Sequence, residues 1–113
     1  MQYIVVFDTN VLISALLSTA SNPFRCLALA KIRKIESVTC QEILNEFSEK
    51  LIVKFKFSQE KTQAAIEEIR SFSRLVEIST ELRVVPADPD DDMVVECAVV
   101  GGATHIVTAD KHL

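Results

Sequence analysis

The feature that most constrains the fold is the run Tyr3-Ile4-Val5-Val6-Phe7, apolar at every position and closed by Asp8. A strand with one wet face alternates apolar and polar residues. A continuous β-branched run instead suits a strand covered on both faces, as in parallel sheets flanked by helices. Asp8-Thr9-Asn10 then supply capping side chains ahead of Val11, Leu12, Leu16 and Leu17, which recur at helical spacing. The first carboxylate therefore stands at a strand-to-helix turn. With 113 residues in all, one domain spanning 1–113 is expected.

Downstream the punctuation is equally local. Ser21-Asn22-Pro23 is a turn with proline suited to a first helical position, and Phe24, Leu27, Ala28 and Ile32 predict a helix over 24–34. A short strand is predicted over 35–39. Ile43, Leu44, Phe47, Leu51 and Ile52 predict a helix within 40–55, and Ala65, Ile66, Ile69 and Phe72 another within 58–75, the two forming a helical hairpin. Strands are predicted over 76–78 and 82–85, the second stopped by Pro86. A helix over 93–100 opens at Asp90 to Asp92 and is ended by Gly101-Gly102, before a last strand over 103–107. This order predicts an α/β three-layer sandwich with a mostly parallel central sheet.

Composition narrows the chemistry. Apolar residues at 49% and charged residues at 25% are ordinary for a chain that buries a core, which disfavours disorder and coiled coil. No apolar stretch approaches the roughly 20 residues of a membrane span, and no secretory leader is visible, so a cytoplasmic location is expected. Cys26, Cys40 and Cys97 are odd in number, widely spaced and in apolar contexts, and are read as buried thiols. His105 and His112 cannot complete a zinc set with them, so any metal must be held by oxygen.

The net charge of −4 argues against a nonspecific nucleic-acid coat, but the distribution of acids matters more than the sum. Asp88-Pro89-Asp90-Asp91-Asp92 concentrates carboxylates just before a helix. In open α/β sheets the functional crevice lies beyond the carboxyl ends of the strands, and Asp8, this cluster and Asp110 all fall there. Glu46 is the helix-borne acid expected to point inward, whereas Glu42 and Glu49 read as solvated. Acids gathered without a paired base suit Mg²⁺ or Mn²⁺, and such cations hydrolyse phosphodiesters without a covalent nucleophile. The same carboxylates also serve as helix caps. An EF-hand is excluded, because Met93 stands where glycine is needed and Val99 where the closing glutamate belongs. No glycine-rich phosphate loop and no nucleophile motif occurs.

The opening I-V-V-F-D-T-N-V-L-I-S-A-L, the helix Q-E-I-L-N-E-F and the closing D-P-D-D-D-M-V-V-E-C-A-V-V-G-G-A-T-H-I-V-T-A-D together resemble the PIN-domain ribonucleases, small bacterial toxin-like members in particular. The resemblance implies a PIN-like fold and metal-dependent cleavage of single-stranded RNA with Mg²⁺ or Mn²⁺. It implies Asp8, Glu46, Asp91 and Asp110 as catalytic, metal-holding residues, a toxin role, and an antitoxin protein as partner. The family's Asp-x-x-Asp selects Asp88 and Asp91, with Asp92 a rival for the third acid; Asn10 and Thr108 would orient the acids or a water. Such proteins continue past the T-x-D motif with a further strand and helix, so the resemblance leaves the C-terminal part of the fold incomplete.

Two other classes share parts of this pattern. A catalytically inactive PIN-like module would bind a protein partner and use its acids as caps. A phosphoacceptor receiver carries its acidic pair after the first strand, whereas here the cluster comes late. Lys31, Arg33, Lys34, Lys50, Lys54 and Lys56 are the cations available to RNA phosphates, although a solvated helix face is the better account of them. Assembly into an oligomer of identical chains is left open. From the resemblance, Asp91→Asn is expected to abolish cleavage of a labelled single-stranded RNA, while Asp90→Asn is expected to leave it within a few-fold. Equal behaviour of the two variants would move the third acid elsewhere in the cluster.

Overall fold

The computed structural model describes residues 2–79 and 89–108. Within them the chain runs β1 (Ile4–Phe7), α1 (Thr9–Leu17), α2 (Asn22–Lys31), β2 (Glu36–Cys40), α3 (Gln41–Val53), α4 (Gln59–Phe72), β3 (Ser73–Val76), α5 (Pro89–Gly101) and β4 (His105–Val107). The described strands form one sheet in the order β3-β2-β1-β4, and every pairing is parallel. The α/β sandwich expected from the apolar first strand is what forms: Val5, Val6 and Phe7 are all buried.

Local chemistry sets the helix starts. Asp8 caps α1, its Oδ1 accepting the Val11 N–H at 2.9 Å; Ser21 caps α2 ahead of Pro23, and Ser58 caps α4. Helices α3 and α4 pack as the expected hairpin, burying Ile43, Leu44, Phe47 and Leu51 from one and Ala65, Ile69 and Phe72 from the other.

Several expectations need correction. The predicted helix over 58–75 stops at Phe72, and the strand expected over 76–78 lies at Ser73–Val76. Pairing along β2, from Ser37↔Ser73 to Cys40↔Val76, draws these residues out of the helix, and the Ser37 and Ser73 hydroxyls meet at 2.7 Å. Ile32, expected on the inner face of α2, is 63% exposed, because it caps that helix where the chain turns into Arg33 at φ 65°. Leu16 and Leu17 are exposed as well, the inner face of α1 being carried by Val11, Leu12, Ile13 and Ala15. Cys26 is only half-buried, whereas Cys40 and Cys97 are buried. The strand expected over 82–85 lies outside the described residues.

Helix α5 connects toward β4, and since β4 runs parallel to β1, α5 must run antiparallel to the sheet it packs against. Its seat is set by Gly101, where a Cβ would lie 2.5 Å from Val38 Cγ1 on β2. Gly102, at φ 67°, then reverses the chain. Its N–H donates to Val99 O and that of Ala103 to Ala98 O at 2.8 Å, the paired bonds of a glycine-terminated helix end. Arg74 fastens the same corner by donating from Nη2 to Gly101 O at 2.7 Å.

From this packing, Gly101→Ala is expected to destabilise the protein by about 1–3 kcal/mol through overpacking against Val38, and Gly102→Ala by about 1 kcal/mol through its left-handed backbone. Urea unfolding of both variants measures the two costs.

Candidate active site

The strand order places β1 at the topological switch point: the chain moves from β1 through β2 to β3 in one direction, then returns to lay β4 on the other side of β1. In such sheets the crevice opens beyond the carboxyl ends of the strands flanking the reversal. Asp8 stands at this place. Its backbone N–H continues the ladder to Val107 O at 3.1 Å, and its carboxylate, half-buried, is held by the first turn of α1. A negative side chain is favoured there by the helix dipole. Asn10, a candidate cap on sequence grounds, does not cap the helix; that role falls to Asp8, and Asn10 is exposed.

The direction of α5 brings further acids to the same rim. Stepping back four residues along a helix covers about 6 Å, and two residues forward along a strand about 6.6 Å. With Gly101 over Val38, Cys97 therefore comes over Cys40, and both are fully buried. The Cys40 sulfur beside it, together with burial, pushes the Cys97 thiol well above its usual range. Since β2 ends at Cys40, the first two turns of α5 project past the carboxyl edge of the sheet. They carry Asp92 and Glu96, 6% and 5% exposed respectively, one turn apart. Ser79 Oγ donates to Glu96 Oε1 at 3.3 Å, tying the segment after β3 to this helix. Asp91 belongs to α5, but its side chain, like Asp88 and Asp110, lies outside the described residues.

Glu46 reaches the site from α3. Its side chain is 14% exposed and its Oε1 lies 2.9 Å from Lys50 Nζ; Lys50 also donates to Asn10 Oδ1 at 3.4 Å, bridging α3 to the first turn of α1. Glu42, Asn45, Glu46, Glu49, Lys50 and Met93 line an open cleft of about 500 Å³, so α3 and the start of α5 face the same space. Glu49 is exposed, as expected, while Glu42 is half-buried. Thr9 Oγ1 and Thr39 Oγ1, at the ends of the first two strands, are buried with no hydrogen-bond partner among the described residues.

Sequence reasoning missed Glu96. The signal was a single glutamate inside the apolar run Val94-Val95-Glu96-Cys97-Ala98-Val99-Val100, which an inward-facing carboxylate on a buried helix leaves. Among the described residues no three His, Cys, Asp or Glu side chains converge closely enough to hold a metal ion. The donors the rim does present are carboxylates and amide or hydroxyl oxygens, the set that hard divalent cations take. An ammonium already sits between two of these oxygens, at Glu46 and Asn10. In its chemistry the donor set fits a hard divalent cation.

Residues 4–112 match the family model of the PIN domain. No curated protein matches the chain.

Because Asp8 is a helix cap whatever else it does, Asp8→Ala is expected to cost about 1 kcal/mol of stability, while Asp8→Asn, which keeps a capping oxygen, stays within about 0.5 kcal/mol of the parent. Thermal or urea unfolding in EDTA measures both.

Proposed function

Because this chain belongs to the PIN-domain family, whose members are generally nucleases that use divalent metals, we propose that it is a metal-dependent endoribonuclease acting on single-stranded RNA. The observation that carries the reading is the position of Asp8 at the switch point of the sheet, with the acidic start of α5 projecting over the same edge. In this reading Asp8, Glu46, Asp91 and Asp110 hold Mg²⁺ or Mn²⁺.

Each of the chain's own groups has a defined task. The Val11 N–H fixes the Asp8 carboxylate at 2.9 Å, so this acid is oriented before any ligand arrives. Glu46 is presented from a rigid helix whose neighbours Ile43 and Phe47 are buried, which fixes its reach into the cleft. In this reading the buried Asp92 and Glu96, on the part of α5 that projects past that edge, add to the attraction for a cation. A bound divalent cation supplies Lewis-acid stabilisation of the phosphodiester and lowers the pKa of water. In this reading Thr108, half-buried just past β4, orients a carboxylate or a water.

A toxin role with a protein antitoxin as partner rests on the family resemblance of the chain's N- and C-terminal motifs. Among the described residues no single helix is long and apolar enough to cross a membrane, and a cytoplasmic substrate pool fits the proposed activity.

A labelled single-stranded RNA incubated with the protein is expected to be cut in Mn²⁺ and left intact in EDTA. Asp8→Asn is expected to lower the rate by at least about 10–100-fold, the loss that even an outer partner of a metal site produces. RNA left uncut by the parent in Mn²⁺ would sink the nuclease reading and favour the protein-binding module. Cutting that survives both EDTA and Asp8→Asn would remove these carboxylates from the reaction.

A further inference from the structure

The environment of Lys50 differs from that of an ordinary helix-surface lysine. Glu at position i and Lys at i+4 is a common stabilising pair, and on an exposed face it would need no further explanation. Here the glutamate is the acid of α3 expected from the sequence to point inward, and its side chain is 14% exposed. The ammonium is also shared with Asn10, from a different element and two residues beyond Asp8, at 3.4 Å. Glu42 and Glu49 line the same cleft as Lys50, so further acids of α3 share that space. The neighbouring Lys54 makes a useful contrast: it is exposed, and its ammonium rests over the Phe55 ring at 5.7 Å.

Resting on the nuclease reading above, we infer that Lys50 is a positioning residue that acts as the built-in counter-cation of the site, holding the Glu46 carboxylate in the metal-free protein and yielding it when a divalent cation enters. The physical argument is one of exchange. Acids gathered at a partly buried rim repel one another unless a cation stands among them, and a tethered ammonium supplies that charge at the cost of one flexible side chain. A divalent cation at the Glu46 carboxylate repels the ammonium that stands 2.9 Å from its Oε1. Metal entry is therefore expected to weaken the Lys50–Glu46 pair and favour release of the lysine. The side chain of Lys50 is 34% exposed and has room to swing outward. Its release also frees the bridge to Asn10, so metal occupancy is coupled to the contact between α3 and the first turn of α1.

Titration calorimetry with Mn²⁺ alone, without RNA, tests this. Lys50→Gln removes the competing charge while keeping a good helix former, and is expected to bind Mn²⁺ about fivefold more tightly than the parent, the effect of a pair near the upper end for partly exposed ions. Lys50→Arg keeps the charge and is expected to bind like the parent. Lys54→Gln controls for a general change in net charge and is expected to shift the affinity by less than about twofold. In EDTA, Lys50→Gln is expected to melt below the parent, because the Glu46–Lys50 ion pair is lost, and Mn²⁺ is expected to erase that deficit. Parent and Lys50→Gln isotherms that coincide, or an equal tightening in Lys54→Gln, would overturn the inference and leave the nuclease reading standing. A parent that binds no Mn²⁺ would defeat that reading itself.

Discussion

The parallel pairing of β1 with both β2 and β4 is the constraint on which the rest of the structure depends. It requires the chain to cross back over the sheet after β3, and it leaves α5 as the element that precedes β4. Because β4 is parallel to β1, α5 runs against the strands, and the contact of Gly101 with Val38 sets how close and how far along it lies. A side chain at 101 would lift the helix from β2 and withdraw its acidic start from the edge where Asp8 stands. A glycine with no side chain thus governs the distance between carboxylates that belong to different parts of the chain.

Gathering carboxylates in this way opposes folding, since like charges at a partly dehydrated rim raise one another's free energy. The described part of the site lowers that cost through local partners. Asp8 accepts the Val11 N–H and lies at the positive end of α1. Glu96 is bonded by Ser79, and Glu46 by Lys50. The same arrangement explains why helix capping and metal holding are compatible readings of Asp8: one carboxylate oxygen can accept from the backbone while the other faces the crevice.

The sequence by itself determined a good deal: the buried first strand from its unbroken apolar run, the cap at Asp8, the α3–α4 hairpin from helical periodicity, the stop at Gly101-Gly102, and Glu46 as the inward acid of α3. These are legible because they depend on neighbours within about one helical turn, or on whether a face is apolar. Tertiary structure alone decided that Ser73–Val76 leaves the helix to pair with β2, that Ile32 is exposed, that Cys97 lies over Cys40, and that Glu96 is buried. It also decided that Lys50 reaches Asn10 from another helix. Each of these depends on which strand edge or helix face comes to lie opposite. That is fixed by the order of strands in the sheet and by the depth at which Gly101 lets α5 settle, and residue spacing along the chain does not encode either.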